Sequence, residues 1–223
     1  MSAIVVKSLS INGTIKEGIA IGTKNLVPII VNVVLWVLTC WIPYLNVGTT
    51  IGLMVGIVSK AAKGEMIPPT EIFDRKYRKY MGEFFLTLGL MWMGIYAGLL
   101  LVIIPGIIIT YAWILAPLLA VDKGKNPSEA LTLSNNLMDG NKFKMWVVYT
   151  VATVAMYILM FIFLLIPGVG WVLSAATGLF GIFVFIGIQA SVYKQLTAGL
   201  DGDVPPPAPQ PLPEIPSPSN ATP

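Results

Sequence analysis

The chain has no histidine and a single cysteine, Cys40, among 223 residues. Without histidine, the commonest general acid/base and the commonest metal ligand are both missing. With one thiol, no intrachain disulfide can form, so cysteine usage gives no redox compartment. Charge is also scarce. Only 11% of residues are Asp, Glu, Lys or Arg, against ~25% in an ordinary soluble domain. That is too little to clothe a soluble core, and the 56% apolar content places the chain in the membrane class. A net charge of +3 gives no footprint for nucleic acid. Residues 1–24 do not have the form of a cleavable signal peptide, since Lys7, Lys16, Glu17 and Lys24 leave only a short apolar patch, Ile4 to Val6.

What is present is long, charge-free sequence. The runs Asn25–Ser59, Phe84–Val121 and Met145–Tyr193 are 35, 38 and 49 residues long, and all 25 charged residues lie outside them. Inside each run sits an Ile-Pro pair, at Pro43, Pro105 and Pro167, spaced 62 residues and then 62 again. A helix needs about 20 apolar residues to cross ~30 Å of hydrocarbon. Each run is therefore read as two helices joined at a proline turn. The predicted legs are Leu26–Ile42 and Leu45–Ser59, Phe84–Ile104 and Ile107–Val121, then Met145–Ile166 and Trp171–Tyr193. The first pair is tightest: a leg of ~17 residues reaches only ~25 Å, so it either crosses a thinned bilayer or dips in and returns.

The turns carry no Lys or Arg, and all 14 basic residues fall in the N-terminus, the two connections and the segment after the last leg. The positive-inside rule then puts both termini in the cytoplasm. Trp41, Tyr44 and Trp171 near the turns, and Phe143, Trp146 and Tyr193 at the opposite ends, match interfacial aromatic belts.

A polar segment precedes each run. Ser8, Thr70 and Ser128 are candidate helix starts, because a side-chain oxygen can satisfy an orphan N–H. Three spacings suggest amphipathic faces: Ile11, Ile15 and Ile19; Phe73, Tyr77, Tyr80 and Phe84; and Ala130, Leu133 and Leu137. The fold expected is an all-α integral membrane protein of three tandem helical hairpins, about six membrane helices, with short interfacial amphipathic helices on the cytoplasmic side. One membrane domain, 1–200, would hold three repeats, 8–63, 70–125 and 128–196. Residues 201–223 form a proline-rich tail expected to be disordered. Nine prolines stand between Pro205 and Pro223, with Pro206/Pro209 and Pro213/Pro216 at the spacing of groove-binding ligands.

Small residues mark the second leg of each pair: Gly48, Gly52 and Gly56; Ala112, Ala116 and Ala120; Gly170, Ser174 and Gly178. They let backbones approach closely in lipid, within one bundle or against a second copy or another membrane protein. The polar groups inside the runs are few, among them Asn32, Thr39, Thr87, Thr110, Thr177 and Gln189, and helix–helix hydrogen bonds account for them. No charged residue inside a run marks an ion pathway. No nucleophile–base pair, P-loop or metal-ligand cluster stands out. Glu71, Asp74 and Glu83 are read as solvated ion pairs on a helix surface. Arg75, Lys76, Arg78 and Lys79, with Tyr77 and Tyr80 between them, are the candidates for anionic lipid headgroups, each cation being worth ~1 kcal/mol near an anionic leaflet.

One stretch carries a resemblance. Ala116-Pro117-Leu118-Leu119-Ala120-Val121 closes a leg, then come Pro127, Glu129-Ala130-Leu131, Ser134, Leu137, Gly140 and a return to apolar sequence at Trp146. Residues 113–146 resemble the membrane domain of bacterial glycerophosphoryl diester phosphodiesterases and related stand-alone inner-membrane proteins. The resemblance implies a multi-helix inner-membrane protein with short amphipathic helices between spans. It brings no phosphodiesterase domain, so no catalytic residue carries over. The resulting expectation is a non-enzymatic scaffold or accessory subunit that takes no cofactor and binds no nucleic acid. The rivals are a membrane-shaping hairpin protein wedged into the cytoplasmic leaflet, and a small-molecule or lipid permease.

Overall fold

The computed structural model describes residues 8–200 apart from Val102 and Gly199. The proline-rich tail lies outside the described residues. Those residues form helices and no strand. Eight helices organise the chain: α1 Ile11–Lys24, α2 Leu26–Thr39, α3 Pro43–Lys63, α4 Met81–Leu101, α5 Ile103–Asp122, α6 Pro127–Leu137, α7 Lys142–Leu164 and α8 Gly170–Thr197. Five of them (α3, α4, α5, α7 and α8) are long and apolar enough to cross a membrane, and the bent pair α1 and α2 would make a sixth.

The sequence explains the breaks. Between α1 and α2 the axis turns by 70° at Asn25. Pro28 has no N–H to give the Lys24 carbonyl, and its ring crowds that carbonyl. Pro43 opens α3 at its first turn, where a missing N–H costs nothing. Pro105 is the third residue of α5 and so lies within its first turn. Pro167 sits between α7 and α8, next to Gly168 at φ +84°. Within α3 the stretch Gly52–Gly56 winds as a π-helix. Pro117 breaks α5 between Ala112 and Ala116: the Trp113 carbonyl, which a continuing helix would give to residue 117, instead accepts from the Ala116 N–H at 3.0 Å. The Ser134 hydroxyl of α6 mends that break. It donates to the Ala112 carbonyl at 2.8 Å and accepts from the Leu115 N–H at 3.2 Å.

Two expectations about the polar segments change. The caps are Ser10 and Asn126, whose side chains accept from Gly13 N and Glu129 N, not Ser8 and Ser128. More importantly, the segment after α3 is not one amphipathic helix. It is a 3-10 turn, Glu71–Phe73, then a single turn, Lys76–Lys79, with Asp74 extended between them. Side-chain hydrogen bonds to the backbone compete with a helix here: locally, the Asp74 carboxylate accepts from Lys76 N at 3.0 Å, and from 40 residues away the Asn32 Oδ1 accepts from Ile72 N at 3.2 Å.

Helix α1 buries most deeply a face beside the one its isoleucines suggest, with Ile11 and Ile15 half-buried against the core. Thr14, Gly18 and Gly22 are the buried residues, while Ile19 is exposed. This small-residue face lies backbone to backbone along α8. A Cβ on Gly187 would fall 1.9 Å from the Gly18 carbonyl oxygen, and one on Gly22 would fall 2.5 Å from that of Phe183. Among pairs of helices, α1 with α8, α4 with α5 and α7 with α8 make the broadest contacts.

Candidate functional site

The polar chemistry gathers beside α3. Its last turn ends at Gly64, in the left-handed region at φ +71°, which accommodates glycine without a Cβ clash and turns the chain back. The returning segment lies along α3. Asn32, wholly buried on α2, clamps it: its Nδ2 donates to the Pro68 carbonyl at 2.9 Å, and its Oδ1 accepts from Ile72 N. The glycines predicted for helix packing seat this segment rather than another helix. A Cβ on Gly52 would lie 2.7 Å from the Ile72 backbone, one on Gly56 would lie 2.1 Å from the Tyr77 hydroxyl, and one on Gly48 would lie 3.0 Å from the Arg78 side chain.

This folding-back buries Glu71 at 3% exposure, which overturns its reading as a solvated surface carboxylate. It bridges Lys60 at 2.6 Å and Lys76 at 3.1 Å and accepts from the Tyr77 hydroxyl. Burial alone would push the Glu71 carboxyl up. The hydrogen bonds from Lys60, Tyr77 and Lys76 outweigh it and hold the carboxyl below its ordinary value. The same burial and the same carboxylate push the Tyr77 hydroxyl far up, so it stays a donor.

A second carboxylate closes the site. Asp122, the last residue of α5, takes Lys63 at 2.7 Å, the Ser59 hydroxyl, and the Tyr193 hydroxyl of α8 at 2.8 Å. A third clasp ties α1 to α8: Glu17 accepts from Lys194 and Ser191, each at 2.8 Å, and from Gln195 at 3.1 Å. Between the first two clasps lies a polar cavity of about 320 Å³ bordered by Lys60, Lys63, Glu65, Lys76, Tyr80 and Asp122. Its cations face carboxylates, so it holds near-balanced charge. Among the described residues, no group of three His, Cys, Asp or Glu side chains could hold a metal ion.

The four cations predicted for lipid headgroups do not form one patch. Lys76 turns to Glu71 and Asp74. Arg78 lies 5.2 Å from the Tyr44 ring and donates to its hydroxyl at 3.3 Å. Lys79 lies 5.5 Å from the Tyr80 ring, and Arg75 is exposed. The contact of Arg78 with Tyr44 joins two residues that the sequence reading puts at opposite ends of a hairpin; the doubling-back of the segment after α3 brings them together.

The remaining small residues divide. Ala112, Ala116 and Ala120 are buried, around the break that Ser134 mends. A Cβ on Gly170 would meet the Phe163 carbonyl at 2.3 Å, and Ser174 is buried, but Gly178 borders only Met160 at 3.8 Å. Sequence reasoning missed Gly18, Gly22 and Gly187, and it missed the roles of Glu71, Asp122 and Ser134. The four-residue spacing of Gly18 and Gly22 was the available signal. Asp122 gave none, because its partners lie 59 to 71 residues away. Glu71 has Lys76 and Tyr77 only 5 and 6 residues away, and what the sequence did not show is its burial. No family model, no curated protein and no solved structure matches this chain.

Proposed function

We propose that this chain is a non-enzymatic multi-span protein of the inner membrane, three tandem hairpins with both termini cytoplasmic, that serves as a scaffold or accessory subunit. The observation carrying this reading is the clasped polar layer. Asp122 and Glu17 tie together elements remote in sequence, and Glu71 ties α3 to the segment that follows it, all at one end of the bundle. Beside that layer, α4 and α7 leave most of their length uncovered, with 22% and 11% of their most apolar stretches buried. A braced base with open apolar flanks suits a protein that holds others. Its partners would be membrane lipids and a neighbouring membrane protein or a second copy. Photo-crosslinking from Tyr157, 66% exposed on α7, tests it in native membranes. A defined protein adduct is the expected result. Solute flux in proteoliposomes carrying the purified chain, without such an adduct, would favour the permease.

A membrane-shaping role has its own support. Helix α2 has 14 residues, about 21 Å at ~1.5 Å per residue, and meets α1 at 70°. A helix this short, bent off its neighbour, suits a wedge in one leaflet. Single cysteines in a Cys40→Ser background separate the two readings. Gly106 and Gly168 are poor positions, since a Cβ on Gly106 would meet Leu99 at 2.5 Å and Gly168 sits at φ +84°. Trp41→Cys, Ile104→Cys and Val169→Cys use exposed positions instead. Labelling of all three by an impermeant thiol reagent from outside means full crossings. Silence at Trp41→Cys alone means a first pair that dips and returns.

A further inference from the structure

A second cavity, of about 340 Å³, lies where α3, α4, α5 and α8 meet. Both of its irregular walls are helix defects. On one side, Leu53 and Met54 belong to the π-helical stretch of α3. On the other, Ile114 and Pro117 stand at the broken turn of α5. A regular helix on either side would bring packed turns into this space. The walls are apolar except for Thr110 and Gln189. The Thr110 hydroxyl is already committed to the Gly106 carbonyl at 2.9 Å. The Gln189 amide, on a half-buried residue, borders this apolar cavity and has no hydrogen-bond partner among the described residues. An amide in that setting is costly unless something in the cavity bonds it.

Depth selects the guest. Gln189 precedes Tyr193 by four residues on α8, about 6 Å at ~1.5 Å per residue, and Tyr193 belongs to the clasped polar layer. The amide therefore stands just below the boundary between charged and apolar structure, the level at which a glycerolipid carries its ester carbonyls. Met54 borders the cavity and is 46% exposed, so the opening faces the apolar flank of the protein. The volume is at the small end of ligand pockets, enough for one chain and too little for a whole lipid. We propose that this cavity receives one acyl chain of a membrane glycerolipid, with the Gln189 amide N–H donating to that chain's ester carbonyl. This goes beyond the scaffold reading and does not depend on it.

The test uses the full chain in phosphatidylcholine vesicles containing a trace of phosphatidylcholine with a diazirine in one acyl chain. After photolysis, labelled peptides are mapped. Labelling concentrated around Leu53, Met91 and Ile114, above that of the more exposed Val154 and Tyr157 on α7, is the expected pattern. Labelling that follows exposure overturns the proposal on the wild-type protein alone, with no variant needed. Ile114→Trp, filling the cavity, should abolish the excess, and Gln189→Leu should lower it about fivefold, the worth of one hydrogen bond. A trace of diazirine-bearing hexadecane in the same vesicles, which has no ester, should give a smaller excess at the cavity than the lipid probe. Equal excess from the two probes would overturn the ester contact.

Discussion

Helices α3 and α7 have nearly the same length, 21 and 23 residues, and either could cross a bilayer. Yet 61% of the apolar stretch of α3 is buried and only 11% of that of α7, although α7 is the more apolar. The difference lies in side-chain size. Helix α3 carries Gly48, Gly52, Gly56, Ala61 and Ala62, and other backbone lies directly on it. Helix α7 has no glycine and carries Phe143, Trp146, Tyr149, Tyr157, Phe161 and Phe163. In lipid, hydrophobicity does not drive helices together, because the tails are as apolar as the side chains. Close approach does, and it needs small residues. Apolarity therefore tells which segments enter a membrane, and residue size tells which of them lie inside the protein.

The comparison can be broken first at Gly56. A Cβ there would overlap the Tyr77 hydroxyl at 2.1 Å. Gly56→Val should cost about 3 kcal/mol or abolish folding, read by thermal unfolding in detergent. Adding bulk to α7 with Val154→Phe should leave the same curve in place. If Gly56→Val is neutral, α3 is not packed as described.

Next comes Glu71. Glu71→Ala removes the acceptor that three donors share and should destabilise by about 3 kcal/mol. The carboxyl is held below its ordinary value of 4.5 in the folded chain. Protonation is thus harder folded than unfolded, so the clasp stabilises above about pH 4.5 and is lost as pH falls below it. The midpoint temperature should drop on acidification, with a shallower drop in Glu71→Gln. Identical pH slopes would show that Glu71 is not clasped.

Ser134→Ala should cost about 2 kcal/mol, because it strands a buried N–H and a buried carbonyl at the break in α5. Ser134→Thr keeps the hydroxyl and should recover part of the loss. The smallest effect belongs to α7. Val154→Ala on its uncovered flank should change stability by no more than about 0.5 kcal/mol. A large loss there would mean that α7 is covered after all.

Much of the helical plan was legible. The charge-free runs marked most of the spanning helices, and the Ile-Pro pairs lie where consecutive helices meet, because hydropathy and proline geometry act locally. The first expected leg, Leu26–Ile42, is the exception: α2 has 14 residues and reaches spanning length only together with α1. The expected legs stop short where charge begins: α3 runs on to Lys63 and α8 to Thr197, since Lys60, Lys63 and Lys194 find carboxylates. The stretch Phe73–Phe84 misled, because aromatic spacing suggested a helix where Asn32 and Gly52 hold an irregular turn. The short motif Ala116-Pro117 with Ser134 was visible as a pattern. Its meaning, a broken helix and the hydroxyl that mends it, needed both elements side by side.

By itself the sequence determined that several segments are apolar enough for lipid, that prolines mark the breaks between them, and that no histidine or intrachain disulfide chemistry is available. Those are properties of consecutive residues, and solvent preference sums over them. The tertiary structure alone decided that Glu71 is buried, that α1 lies along α8, and that Gln189 borders an empty-walled apolar space. Each of these depends on partners distant in the chain. Burial of a polar group is set by what surrounds it, and those surroundings come from the whole fold.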